Sequence, residues 1–248
     1  MKPNIVFITA VESSLSPLRS QAYKYSIESW KRWCGANGAE LRVLDEPLYD
    51  PEFMKVNYFR YFCFKLLQDE EFDQVCLVDA DTIVHPNCPN FFNLTNGEFT
   101  VVREDGDFDW IIRSIENYKH EFPNLFKKSF EIWDYFNSGF IVINKKHEAI
   151  LEELTSFYLN NREKVQHYQK TYGTGTDQPL LNLITQDEGV KVNFLPYQFN
   201  MTNLQGKNIL DERMLFTKIP GIYHFNAIQG GPEKVNHWMQ KTFEYLCE

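Results

Sequence analysis

Cysteine is scarce in this 248-residue chain, and its placement is unpatterned. Cys34, Cys63, Cys76, Cys88 and Cys247 are odd in number and show no metal-ligand spacing, which argues against a cysteine-based metal site. Cys63 and Cys76 lie in apolar runs and read as small core residues. The set fits a reducing compartment, so a cytoplasmic location is expected. No apolar stretch approaches the length of a membrane span. Met1–Ala10 holds one lysine and a short apolar run, which reads as a strand rather than a signal peptide. There is no repeat, no low-complexity segment and no long linker. Basic patches are also missing, and the net charge is -9, so nucleic acid and anionic membrane are excluded as expected partners. A small anionic ligand is not excluded, because a bound cation can supply local positive charge. The sequons at Asn93 and Asn200 matter only in a secreted chain.

What is present is an ordinary globular hydrophobic share of 43% and a high aromatic share of 16%. Short apolar runs alternate with helical patterns, the signature of an α/β fold with a mostly parallel central sheet flanked by helices. One domain is expected over residues 1–248. Asn4 to Thr9 reads as a first strand buried on both faces. Ser16-Pro17 offers a helix start, followed by Leu18, Ala22, Tyr25, Ser29 and Trp33 at helical spacing, with a stop near Gly35. Glu40–Leu44 reads as a strand, Tyr58–Leu67 as a helix with Phe59, Phe62, Cys63, Leu66 and Leu67 inward, and Gln74–Val78 as a buried strand. Thr100–Arg103 is a further strand. Asp107–Trp133 reads as an excursion over the site. Later strands are expected at Phe140–Ile143, Val190–Leu195 and Ile222–Phe225. A helix carrying Ile150, Leu151, Leu154 and Phe157 and a short one over Asp177–Ile184 lie between them.

Four features carry chemistry. In Val75-Cys-Leu-Val-Asp79-Ala-Asp81, two acids follow a buried run at its carboxyl end, where open α/β sheets bind ligands. Residues two apart in an extended segment point the same way, so both carboxylates can face one point. Two hard oxygen donors suit Mg²⁺ or Mn²⁺, which can grip a diphosphate; the plain alternative is a solvated turn. In Asn137-Ser-Gly139, glycine allows close backbone approach and asparagine both donates and accepts; the alternative is a strand-entry turn. In Gly173-Thr-Gly175-Thr-Asp177-Gln178, a flexible loop enters a helix, and Asp177 either faces a ligand or caps that helix. In Gly221-Ile-Tyr-His224-Phe225, a histidine inside an apolar run is either a metal ligand or a satisfied core residue.

In order and approximate spacing, these four features resemble the glycogenin-like retaining glycosyltransferases, family eight of the GT-A type. The resemblance runs from about Asn4 to Phe225, and it implies a nucleotide-binding half of about 1–105 and a sugar and acceptor half of about 106–248. It implies transfer of a sugar from a nucleotide-diphosphate donor, such as a uridine diphosphate sugar, to a hydroxyl acceptor on a glycan, protein or small molecule. Asp79, Asp81 and His224 would hold a divalent metal, usually Mn²⁺ (or Mg²⁺), on the donor diphosphate. Asn137, Asp177 and Gln178 would surround the donor sugar. The Thr9-Ala10 strand end resembles the uridine-binding edge, and a basic residue before the acidic pair corresponds to Arg60 or Lys65. The donor-contact set is then Thr9, Ala10, Arg60, Lys65, Ala80 and Lys234. The family's ending is altered here. Ala227 replaces its first glycine, Val235 follows Lys234 in place of proline, and Trp238 is displaced. The resemblance also implies retention of configuration. Asp177 is the one acid of the matched motifs able to act as nucleophile, and front-face return is the other route.

Two other readings compete. Asp79-Ala-Asp81-Thr-Ile83 approaches the first motif of haloacid-dehalogenase-type phosphatases, with Gly106-Asp107-Phe-Asp109 as a misplaced second acidic pair. The other is a catalytically silent protein that binds a sugar nucleotide.

Overall fold

In the computed structural model, residues 2–12, 18–123, 126 and 128–247 are described. The helix start expected at Ser16-Pro17 lies outside them. Strand β1 (Asn4–Thr9) leads through a 3-10 turn (Arg19–Ala22) into α1 (Tyr23–Asn37) and on to β2 (Ala39–Leu44), which pairs parallel to β1. A second 3-10 turn (Val56–Phe62) runs into the short α2 (Cys63–Leu66). The chain then enters β3 (Val75–Asp79), parallel to the other side of β1, and the short β4 (Thr82–Val84). Next come β5 (Phe99–Arg103), α3 (Phe108–Glu121), β6 (Phe136–Ile143), α4 (Glu148–Tyr172) and α5 (Gln178–Asp187). β7 (Val192–Leu195), β8 (Ile222–His224) and α6 (Pro232–Cys247) complete the chain.

The central sheet has six strands in the order β2-β1-β3-β6-β5-β7. Only β6 runs against its neighbours β3 and β5. Its strands read as continuous apolar runs because both faces are covered. Along β1, Ile5 and Phe7 enter one core cluster while Val6 and Ile8 enter the other. β3 alternates likewise, with Val75 and Leu77 on one face and Cys76 and Val78 on the other. A separate pair, β4 with β8, sits beside the carboxyl end of β3. No helix among the described residues is long and apolar enough to cross a membrane.

Four expectations change. α1 continues past Gly35 and ends at Gly38, whose φ of 66° forms a left-handed cap. The expected Tyr58–Leu67 helix is mostly 3-10, and Leu66 is 41% exposed rather than inward. In a 3-10 turn residues three apart share a side, which sets Tyr58 and Tyr61 together. The supposed excursion at Asp107–Trp133 contains α3 instead. Asp107 caps it by accepting from the Trp110 amide at 3.0 Å, and Ile111, Ser114, Ile115 and Tyr118 form its buried stripe. β6 begins at Phe136, so Asn137-Ser-Gly139 lies within a buried strand and not in an entry turn. The closing helix α6, which the sequence patterns had not marked, packs on the turn at Arg19–Ala22 and on α1.

Candidate active site

The site grows from the carboxyl end of β3. Asp79 is the last residue of that strand, and Ala80 and Asp81 form a turn rather than an extension of it. The turn is held by the Thr82 hydroxyl, which donates to the Asp79 carbonyl at 2.7 Å and accepts from the Trp30 indole at 2.9 Å. The two acids therefore converge through a clamped turn, not through the strand alternation expected from the sequence. β4 then pairs antiparallel with β8, placing Thr82 opposite His224. The Phe225 amide donates to the Asp81 carbonyl at 2.9 Å, which locks this register. His224 Nε2 consequently lies 3.4 Å from Asp79 Oδ2 and 3.2 Å from Asp81 Oδ1.

The histidine's orientation follows from a chain of amides. The Gly139 backbone N–H donates to Asn137 at 2.8 Å, so the atom facing it is Oδ1. Asn137 Nδ2 donates to Glu104 at 2.8 Å. The same Asn137 Oδ1 accepts from Asn200 Nδ2 at 2.9 Å, which leaves Asn200 Oδ1 against His224 Nδ1 at 3.0 Å. Nδ1 must therefore carry the proton in neutral His224, and Nε2 presents its lone pair toward the two carboxylates. Asn200 is fully buried, so the sequon it heads is closed to modification in the folded chain. Gly139 sits where these groups meet. A Cβ there would fall 2.6 Å from Asp79 Oδ2 and 2.8 Å from Asn137 Oδ1, and would overlap His224 Cε1.

Two arginines offset the acids. Arg60 is buried and pairs with Asp79, while its Nη1 donates to the Ser138 carbonyl at 2.8 Å and its Nε to the Asn57 carbonyl at 3.1 Å. Arg19 pairs with Asp81. Burial alone would raise the Asp81 carboxyl, but Arg19 and then His224 outweigh it and hold it well below the usual carboxylate range. For His224, burial opposes the charged form, and the Asp81 charge and hydrogen bond outweigh it, so the net direction is upward.

Asp177 is buried at the head of α5. It stands at the capping position but makes no capping hydrogen bond. Instead Oδ2 accepts from the Tyr61 hydroxyl at 2.5 Å and Oδ1 from the Thr176 hydroxyl at 2.8 Å. Gln178 accepts from the Ser138 amide at 3.0 Å and so ties α5 to β6. Asn182 makes the same tie further in, exchanging two hydrogen bonds of 2.9 Å with the Phe136 backbone.

Asp79, Asp81, His224, Asp177 and Gln178 all line one cavity of about 580 Å³. Of the remaining expected residues, Thr9, Arg60, Ala80 and Asn137 line it too. Ala10, Lys65 and Lys234 are not in its lining. Ala10 packs against the core, and Lys65 borders a separate cleft with Glu148 and Glu152. The Lys234 ammonium sits 5.9 Å from the Trp238 ring. Arg60, not Lys65, is thus the cation beside Asp79. Arg19, Tyr23, Lys55 and Trp110 line the cavity without having been singled out in the sequence. None lies in a recognisable motif, and each arrives from an element outside the four features.

Residues 8–234 match the family model described as glycosyl transferase family 8. The chain belongs to that family. It is a glycosyltransferase, and the phosphatase and silent-binder readings are set aside. No curated protein matches the sequence. Among solved structures, a glycosyltransferase involved in glycosylation of the major capsid of PBCV-1 aligns with a TM-score of 0.55 at 12% identity, covering 96% of this chain and 100% of that one. The bifunctional glycosyltransferase WbbM aligns with a TM-score of 0.51 at 15% identity, over 100% of this chain and 52% of WbbM. At these identities the likeness establishes the fold, which is GT-A, with its mostly parallel central sheet.

Proposed function

We propose that this family 8 enzyme transfers a sugar from a uridine diphosphate donor to a hydroxyl acceptor, with retention of configuration and dependence on a divalent cation. The observation that carries this reading is the convergence of Asp79, Asp81 and His224, whose donor atoms lie within 4.8 Å of one another on the wall of the same cavity as Asp177. Two carboxylate oxygens and an imidazole nitrogen form a donor set that Mn²⁺ accepts readily and Mg²⁺ less so. The amide chain ending on His224 Nδ1 supports it, because ligating histidines are oriented by a hydrogen bond on their other nitrogen. A cation held there supplies charge stabilisation to a departing diphosphate.

The chain's own groups do the rest. Arg60, fixed by two backbone carbonyls, keeps a permanent positive charge at the diphosphate end. Gln178 and Ser138 offer polar groups to the donor sugar. Both oxygens of Asp177 already accept hydrogen bonds, which lowers their nucleophilicity. That arrangement suits a carboxylate that stabilises positive charge at the anomeric carbon more than one that attacks it. Front-face return follows: the sugar–phosphate bond breaks, the acceptor oxygen bonds to the same face, and its proton passes to the leaving phosphate. The acceptor is a hydroxyl of a glycan, a protein or a small molecule. The buried, unpaired Cys34, Cys63, Cys76 and Cys88 support a reducing, cytoplasmic setting.

The test is hydrolysis and transfer across a panel of sugar nucleotides, with the product anomer read by NMR. Chelator should abolish turnover, and Mn²⁺ should restore it. Full turnover in excess chelator, an inverted product, or a preference for donors without uridine would each overturn the corresponding part.

A further inference from the structure

Arg19 and Arg60 each neutralise one acid of the metal-binding pair, but they are held very differently. Arg60 has a side chain only 6% exposed and gives two further hydrogen bonds to backbone carbonyls. Arg19 is 45% exposed along its side chain, and among the described residues its one side-chain hydrogen-bond partner is Asp81. Its backbone, by contrast, is anchored. The Leu18 carbonyl next to it accepts from Asn236 Nδ2 of α6 at 2.5 Å, and the turn it opens packs on that helix. The guanidinium can therefore swing while the main chain stays in place.

Asp81 faces a cation on one side and the His224 ring on the other. Oδ2 is taken by Arg19 and Oδ1 faces His224 Nε2 at 3.2 Å. A cation bound by Asp81 and His224 meets the Arg19 guanidinium as a competing positive charge on the same carboxylate, and the exposed, singly held arginine is the one free to leave. Charge balance indicates where it goes. Asp79 and Asp81 bring two negative charges, and Arg19 and Arg60 bring two positive ones; Lys55 is set against Asp177. A divalent cation and a donor diphosphate add two charges of each sign. Glu104, bonded to Asn137, adds one further negative charge, so losing either arginine would leave the loaded site still more negative. A guanidinium released beside a bound diphosphate has a planar fork of donors suited to phosphate oxygens.

We propose that Arg19 is an exchange residue: it occupies Asp81 in the metal-free enzyme and moves to the donor diphosphate when the cation takes Asp81. The inference rests on the metal- and diphosphate-dependent reading above. It assigns Arg19 two opposite effects, competing with the metal and assisting the nucleotide, whereas a purely structural residue would favour both or neither.

Calorimetric titration separates them without any turnover. In Arg19→Gln, Mn²⁺ alone should bind about threefold tighter or more, because a competing charge is gone. Uridine diphosphate at saturating Mn²⁺ should bind about tenfold weaker or more, as expected for one charge-assisted hydrogen bond. Arg19→Lys, which keeps the charge but not the fork, should leave Mn²⁺ affinity near wild type and weaken the nucleotide by an intermediate amount; it carries the test should the glutamine variant fold poorly. Mn²⁺ binding that is unchanged or weaker in Arg19→Gln, or nucleotide binding that is unchanged or tighter in either variant, overturns the exchange. Wild-type protein that binds neither Mn²⁺ nor uridine diphosphate would instead overturn the proposed function itself.

Discussion

Replacing Gly139 by alanine should damage the site far more than one methyl group ordinarily does. The added Cβ would lie 2.6 Å from Asp79 Oδ2 and 2.8 Å from Asn137 Oδ1, and would overlap His224 Cε1. None of the three can step aside cheaply. Asp79 is held by Arg60, His224 by Asn200, and Asn137 by Glu104 and the Gly139 amide itself. The backbone is not the obstacle, because Gly139 lies inside β6 and its φ is not among the positive ones. Overpacking of this kind costs about 1–3 kcal/mol. For a chain of this size that lowers Tm by roughly 2–12 °C. The same displacement spreads two of the proposed metal ligands, so Mn²⁺ affinity should fall by about tenfold or more. Gly35→Ala is the matched control. That glycine lies within α1 with open space around its Cβ position, and alanine there should stabilise by about 0.5–1 kcal/mol without touching Mn²⁺ binding. Thermal unfolding and calorimetric Mn²⁺ titration measure both quantities. A Gly139→Ala protein with wild-type Tm and wild-type Mn²⁺ affinity would refute the steric argument.

Asn200→Ala should weaken Mn²⁺ by about tenfold or more while leaving the ligands themselves intact, because it frees the His224 tautomer and ring; an unchanged titration would remove Asn200 from that role. Asp177→Asn should cut turnover by about a hundredfold while uridine diphosphate binding changes little, the pattern of a charge used mainly in the transition state. Asparagine keeps only one of the two buried acceptor oxygens, so Tm should fall by a few degrees as well; equal losses in binding and turnover would contradict the assignment. His147 provides a pH test distant from the cavity. Burial, aided by Lys146, pushes its imidazole down to about 4, and its Nδ1 accepts the Asn144 amide at 3.2 Å. Folded His147 stays neutral where the unfolded chain, at about 6.5, already binds a proton. Its contribution is thus complete above about pH 6.5 and is lost as pH falls toward 4, by up to about 3 kcal/mol. Denaturant unfolding at several pH values should show a shallower acid loss in His147→Gln than in wild type; parallel profiles would exclude the mechanism.

Much of this was legible in the chain because the signals are local. A run such as Val75–Val78 can only be a strand covered on both faces, and acids directly after it must emerge at the ligand-binding edge. The Asn137-Ser-Gly139 step reads as a place where a ligand approaches the backbone, and in the fold the groups crowding Gly139 are Asp79, Asn137 and His224. Local patterns also misled where geometry departed from the ideal. The aromatic run at Tyr58–Phe62 read as an α-helix, but its 3-10 winding is what turns Tyr58 and Tyr61 together toward the loop at Thr176 and Asp177. That winding carries Arg60, and it is Arg60, not Lys65, that stands beside Asp79.

The remaining features exist only in three dimensions. His224 meets Asp81 through the pairing of β4 with β8, a contact spanning well over a hundred residues that leaves no trace in either segment's composition. Asn200 read as a sequon until folding buried it between Asn137 and His224. Whether Asp177 caps its helix or faces the cavity depended on a phenol arriving from another element. Strand and helix periodicities are set by neighbours along the chain and so can be read from it. A cluster of two carboxylates and an imidazole, a fixed tautomer and an ion pair such as Arg19–Asp81 are set by side chains that only tertiary packing brings within hydrogen-bonding distance.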